Sequence, residues 1–148
     1  MTERATRFTT YLGAFTAAHE IADHVLGQTD AQTAAKAKPG REGWSALGRH
    51  IAQYHTVMGL MVATTVKTTG LRVSPGRLAA GLAISAATHA LWDRRKPVVW
   101  LVTHTGSPAF AKLAGHGMNG PYLADQALHK ACLWLAAIVA SGGERTRV

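Results

Sequence analysis

One cysteine in 148 residues, and charge on only 16% of them, remove several classes of protein at once. A lone thiol, Cys132, cannot form an intramolecular disulfide, so the chain is no disulfide scaffold and needs no oxidising compartment. Cys132 sits inside an apolar run and reads as a small core residue. Acid is scarce as well: eight Asp and Glu face sixteen Lys and Arg, a net charge of +8 with a pI of about 10.3. That balance suits anionic partners, either nucleic acid or membrane headgroups. The cations, however, fall between or outside the apolar stretches. No basic arm and no helix-turn-helix spacing is present, which leaves a nucleic-acid-binding regulator the weakest reading. There is no strand signal and no repeat at fixed period.

What remains is apolar and helical. Hydrophobic residues make up 47%, and the 16% charge is drier than the ~25% of an average soluble domain, but a mean hydropathy of +0.03 is not dry enough to declare a membrane protein. The length fits one domain with one core. Helical spacing predicts four long helices, about Arg4 to Leu26, Ser45 to Lys67, Pro75 to Lys96 and Pro121 to Ser141, with a short one at about Asp30 to Lys38. Ser74-Pro75 and Asn119-Gly120-Pro121 read as helix starts, Ser45 as an N-cap, and Gly70 as a C-terminal cap. Pro97 reads as the stop of the third helix, followed by an apolar VVWLV segment and a glycine-containing loop. Phe8 to Ala18 resembles the apolar part of a signal peptide but continues into His19 and Glu20 as one pattern. The expected fold is all-α, a four-helix up-and-down bundle associated with a membrane.

The chemistry lies in three pairs: His19 with Asp23, His89 with Asp93, and Asp125 with His129. Each is spaced i, i+4, which places both side chains on one helix face. Composition alone gives about 0.4 such pairs by chance, and three of the chain's four aspartates belong to them. In an up-and-down bundle, the late part of helices one and three meets the early part of helices two and four. All three pairs, together with His50, therefore fall at one end. His50 ranks above His55 because it shares a face with Tyr54.

Imidazoles and carboxylates in an apolar bundle are costly to bury unless paired or coordinated. They predict a divalent-metal site made of His19, Asp23, His50, His89, Asp93, Asp125 and His129, with zinc first, since it tolerates three protein ligands and an open position. A metal-dependent hydrolase follows, with Glu20, Asp23 or Asp93 as candidate catalytic residues. The alternative is a non-catalytic membrane protein that handles protons or metal or scaffolds an assembly. Glu20 and His24 flank the site or lie on another face, and His104 and His116 read as solvated loop residues.

The uncharged runs His50 to Val66, Leu78 to Trp92 and Ala131 to Gly143 are marginal for spanning a bilayer, which needs about 20 apolar residues. Small residues in the third helix permit close packing, and Trp44, Trp92 and Trp100 gather near the site end as an interfacial belt would. These features place the chain at the cytoplasmic membrane, with the cytoplasm as alternative and with lipids as partners; a homo-oligomer or larger assembly is also open.

The strings HEIADHVLGQTDAQTAAKA, GRHIAQYH, ATHALWDRR and YLADQALHKACLW resemble a bacterial family known as domain of unknown function 3307. Members of that family are small multi-helix membrane proteins with two H-x-x-x-D motifs and a D-Q-x-x-H motif. The resemblance implies site roles for His19, Asp23, His50, His89, Asp93, Asp125, Gln126 and His129, and supplies no activity. Gln28 stands one residue later than the family's pattern places its glutamine.

Overall fold

The computed structural model describes residues 2–26, 28–105, 108–115 and 117–142. It is mostly helical: α1 (Glu3–Ile21), α2 (Asp30–Ala35), α3 (Gly40–Thr69), α4 (Pro75–Trp92), α5 (Lys96–His104) and α6 (Gly120–Ala140). A π-helical turn, Ala22–Leu26, continues α1, and two two-residue strands, Ala114–Gly115 and Met118–Asn119, form a small antiparallel hairpin before α6. The hairpin is too short to leave a periodic signal.

One core joins α1, α3 and α6. Tyr11, Phe15, Ala18 and Ala22 line one face of α1 and its π turn. They meet Tyr54, Met58 and Val62 from α3 and Leu133, Ala136, Ala137 and Ala140 from α6. These positions recur at three- and four-residue steps, the pattern that gives a helix one apolar stripe. Helix α4 packs most intimately on α6. A β-carbon at Gly81 would stand 2.7 Å from the Ala136 carbonyl oxygen and 2.9 Å from Ala140 Cβ, so glycine sets how near the two backbones come.

The ends of the elements follow local chemistry, with three corrections. Helix α3 begins at Gly40, just after Pro39, and not at Ser45. Gly43 explains the earlier start, because any β-carbon there would collide with the Lys38 carbonyl; Ser45 instead accepts a hydrogen bond from Arg49. Pro97 does not merely end a helix. It lies in the first turn of α5, where its missing N–H costs nothing, and the VVWLV segment is that helix. Helix α4 stops at Trp92, and Arg95, at φ 59°, turns the chain between the two. The short helix α2 ends at Ala35, earlier than the expected Lys38, and opens on a capping box in which Thr29 and Gln32 exchange hydrogen bonds.

Among the described residues, α6 alone is long and apolar enough to cross a membrane, and a third of its apolar window (33%) is buried inside the protein. A buried core helix meets the same criterion. The runs in α3 and α4 fall short of it. Trp44 and Trp100 are exposed, whereas Trp92 turns inward and donates to Cys132 Sγ at 3.3 Å. Cys132 is half-buried rather than sealed in the core.

Candidate metal centre

Six segments deliver polar side chains to one buried place. The end of α1 brings His19, and the π turn brings Asp23. The residue after α2 is Lys36, and α3 contributes His50 and Tyr54. The last turn of α4 brings His89 and its C-cap is Asp93, and the first half of α6 brings Asp125, Gln126 and His129. His19, Asp23, His50, His89, Asp93, Gln126 and His129 are all buried. The convergence expected from the i, i+4 pairs and the bundle ends is therefore present, Asp125 included.

The centre has too many acceptors for its protons. His50 Nε2 lies 2.8 Å from His89 Nε2, 3.1 Å from Asp93 Oδ2 and 3.2 Å from Asp23 Oδ1. His89 Nε2 lies 3.2 Å from the same Asp93 oxygen. A single N–H can satisfy one of these acceptors, and the two carboxylate oxygens receive no aligned hydrogen bond. Buried oxygens left so cost about 1–3 kcal/mol each, more when charged. One ligand atom from each of Asp23, His50, His89 and Asp93 fits within 4.8 Å of the other three. Two imidazoles and two carboxylates in that space suit zinc, manganese or iron.

Protonation follows from the same crowding. Burial disfavours charge on His50, but the close Asp23 and Asp93 carboxylates, 3.2 and 3.1 Å from its Nε2, prevail and hold its pKa up at about 9. Burial pushes His89 down to about 4, against the pull of Asp93. One proton between two facing nitrogens is what those opposite shifts describe. Burial favours the neutral acid at both aspartates. His50 and Lys36 outweigh it at Asp23, and His50, His89 and Lys36 at Asp93, so both carboxyls lie well below the ordinary range. Lys36 makes the closest ion pair, its Nζ 2.9 Å from Asp93 Oδ1 and 4.0 Å from Asp23 Oδ1.

A second layer orients the first. His19 donates from Nε2 to Gln126 Oε1 at 2.9 Å, and its Nδ1 accepts from the Tyr54 hydroxyl at 3.2 Å. Gln126 passes the order on, donating from Nε2 to Asp23 Oδ2 at 3.2 Å. These directions fit the amide and tautomer choices that satisfy every partner. Both nitrogens of His19 are thus engaged, which gives it an orienting role. His129 donates from Nδ1 to the Asp125 carbonyl at 2.8 Å, leaving Nε2 buried with its lone pair and no partner.

Other expected residues lie elsewhere. Glu20 is exposed and pairs with Lys130 at 2.9 Å, away from the cluster. His24 stands at the rim, its Nε2 2.6 Å from the Tyr122 hydroxyl. His55 is tied to the Ile51 carbonyl and to Ser85, and His104 is exposed and stacked on Trp100. His116 lies outside the described residues. Gln28 donates to the Asp23 carbonyl and so closes the π turn. Lys36 and Arg95 were not legible as site residues, since nothing in their spacing marks them.

A cavity of about 480 Å³ opens on the centre. Asp23, Asp93, Asp125 and Gln126 form its floor, Lys36 and Arg95 supply cations on the wall, and Val98, Val99, Pro121 and Tyr122 supply apolar surface. Compared with known protein families, curated proteins and solved structures, the chain matches none.

Proposed function

We propose that the chain is a metal-dependent hydrolase, a four-helix bundle of α1, α3, α4 and α6 that works at a membrane surface with zinc as its metal. The observation that carries this reading is the single N–H of His50 facing three acceptors. A divalent cation in place of that proton would satisfy Asp23, Asp93 and His89 together. Bound there, the ion would supply an activated water. The protein's own share is to hold the ligands, through Gln126 and His19, and to seat a substrate against Lys36 and Arg95. Those two cations beside apolar Val98, Val99 and Tyr122 favour an anionic ester with an apolar group. Exposed Val25, Leu26, Trp100, Tyr122 and Leu123 support contact with lipid. Membership of the domain of unknown function 3307 family is part of the same proposal.

Elemental analysis of purified protein tests it, beside the variants His89→Ala and Asp93→Asn. Bound zinc in the parent, reduced in both variants, is expected, with hydrolysis of a phosphate or carboxylic ester that follows the metal. A folded parent free of metal at neutral pH after incubation with zinc overturns the reading. Flotation with anionic vesicles tests the membrane part separately.

One observation favours a second reading. Lys36 and a protonated His50 already place two positive charges against Asp23 and Asp93. On that reading the centre is a buried ion-pair network in a non-catalytic protein, and zinc added to the folded chain does not bind.

A further inference from the structure

Asp93 belongs to two ligand sets. It sits with Asp23, His50 and His89 in the first, and with Asp125 and His129 in the second, whose ligand atoms also lie within 4.8 Å of one another. The second set has its own unmet valences. His129, 3% exposed, keeps Nε2 without a partner, and Asp125 Oδ1 is buried without one. The Nδ1–H bond to the Asp125 carbonyl fixes the His129 ring so that the unpartnered nitrogen is a lone pair, the form a metal requires. The two sets are neighbours, because the His89 and His129 rings are 4.5 Å apart between centroids.

We propose that the centre takes two divalent ions, with the Asp93 carboxylate between them and Asp125 and His129 completing the second position. This rests on the metal reading above and extends it. Hydrolases with paired ions hold them about 3.5–4 Å apart, a gap that one carboxylate spans. The second position is the more exposed of the two, since Asp125 lines the cavity floor and is only half-buried. It is therefore the one a substrate oxygen would meet.

Titration of the metal-free protein with zinc chloride, read by calorimetry and by elemental analysis after dialysis, decides the matter. Two equivalents per chain are expected. Asp125→Asn and His129→Gln should each retain the first ion and weaken the second by more than about tenfold, the least that loss of a direct ligand should cost when loss of an outer partner costs 10–100-fold. Asp93→Asn should weaken both. Helical content by circular dichroism checks that each variant folds. Manganese provides a second readout, because two ions sharing a carboxylate give an exchange-coupled resonance signal that either α6 variant abolishes. One equivalent in the parent, unchanged in the α6 variants, overturns the second position and leaves the first intact. No binding at all overturns both.

Discussion

The two ends of the molecule are built on opposite terms. Toward one end, Phe15, Met58, Val62, Leu133 and Ala137 are sealed in a core that is almost wholly apolar, its polar exceptions being the Tyr11 hydroxyl, buried without a partner, and the Ser85 hydroxyl on Met58 Sδ at 3.9 Å. Toward the other, side chains are equally buried, yet Asp23, His89, Asp93, Asp125 and His129 each keep a buried polar atom without a hydrogen-bond partner. Burial alone therefore does not explain the second region. Unmet polar groups of this kind lower stability, and they persist where a ligand compensates for them. The apolar half holds the fold so that the polar half can remain unsatisfied.

Substitutions can break that contrast. Phe15→Ala should have the largest effect, about 3–5 kcal/mol of stability lost through burial and cavity terms, the same with and without zinc in urea melts. Lys36→Met should cost about 3 kcal/mol in metal-free protein, since it strands the buried Asp93 carboxylate. Zinc should restore much of that loss by mass action. Equal losses with and without zinc would erase the difference between the two regions.

Smaller effects sharpen it. Gly81→Ala should cost about 1–3 kcal/mol by overpacking α4 against α6, with no change in zinc stoichiometry. The pH dependence belongs to the polar half alone. The His50 pKa is raised, to about 9, so its contribution is fully present below about 6.5, the ordinary histidine value. It is lost as pH rises through 9. Asp23, Asp93, Lys36 and His89 all face this group. Metal-free protein should melt at a lower temperature at pH 9.5 than at 6.5, and His50→Gln should flatten that decline. Glu20→Gln should do least: its pair with Lys130 is half-exposed, and such pairs contribute about 0–1 kcal/mol. Loss of zinc binding in this variant would return Glu20 to the site.

The sequence made the centre legible through spacing and topology rather than through any single motif. His89 and Asp93 share a face because four residues make nearly one turn, and the order of long helices brought the pairs to one end. Spacing does not mark Lys36 because it arrives from the residue after a six-residue helix whose placement depends on tertiary contacts. Arg95 depends on a positive φ, which an arginine does not advertise. Helix α5 was hidden because proline marks a first helical turn as readily as a stop. Helical spacing puts His19 in the metal set, whereas its partners Tyr54 and Gln126 turn it to an orienting role. They lie 35 and 107 residues away in sequence, so spacing within one helix could not reveal them.

The wide turn at Ala22–Leu26 carries a consequence for the whole centre. A π turn holds one residue more than regular helical geometry accommodates, so everything beyond it is rotated by about 100° from where an unbroken helix would aim it. Asp23 stands inside that extra loop. Removing one residue between Ala22 and Leu26 would let the helix relax into ordinary form while swinging the following chain, Gln28 and the approach to Lys36 included, off the cavity. The angular phase of a single helix is thus set by an insertion, and a homologue lacking that residue would share the scaffold without the same constellation.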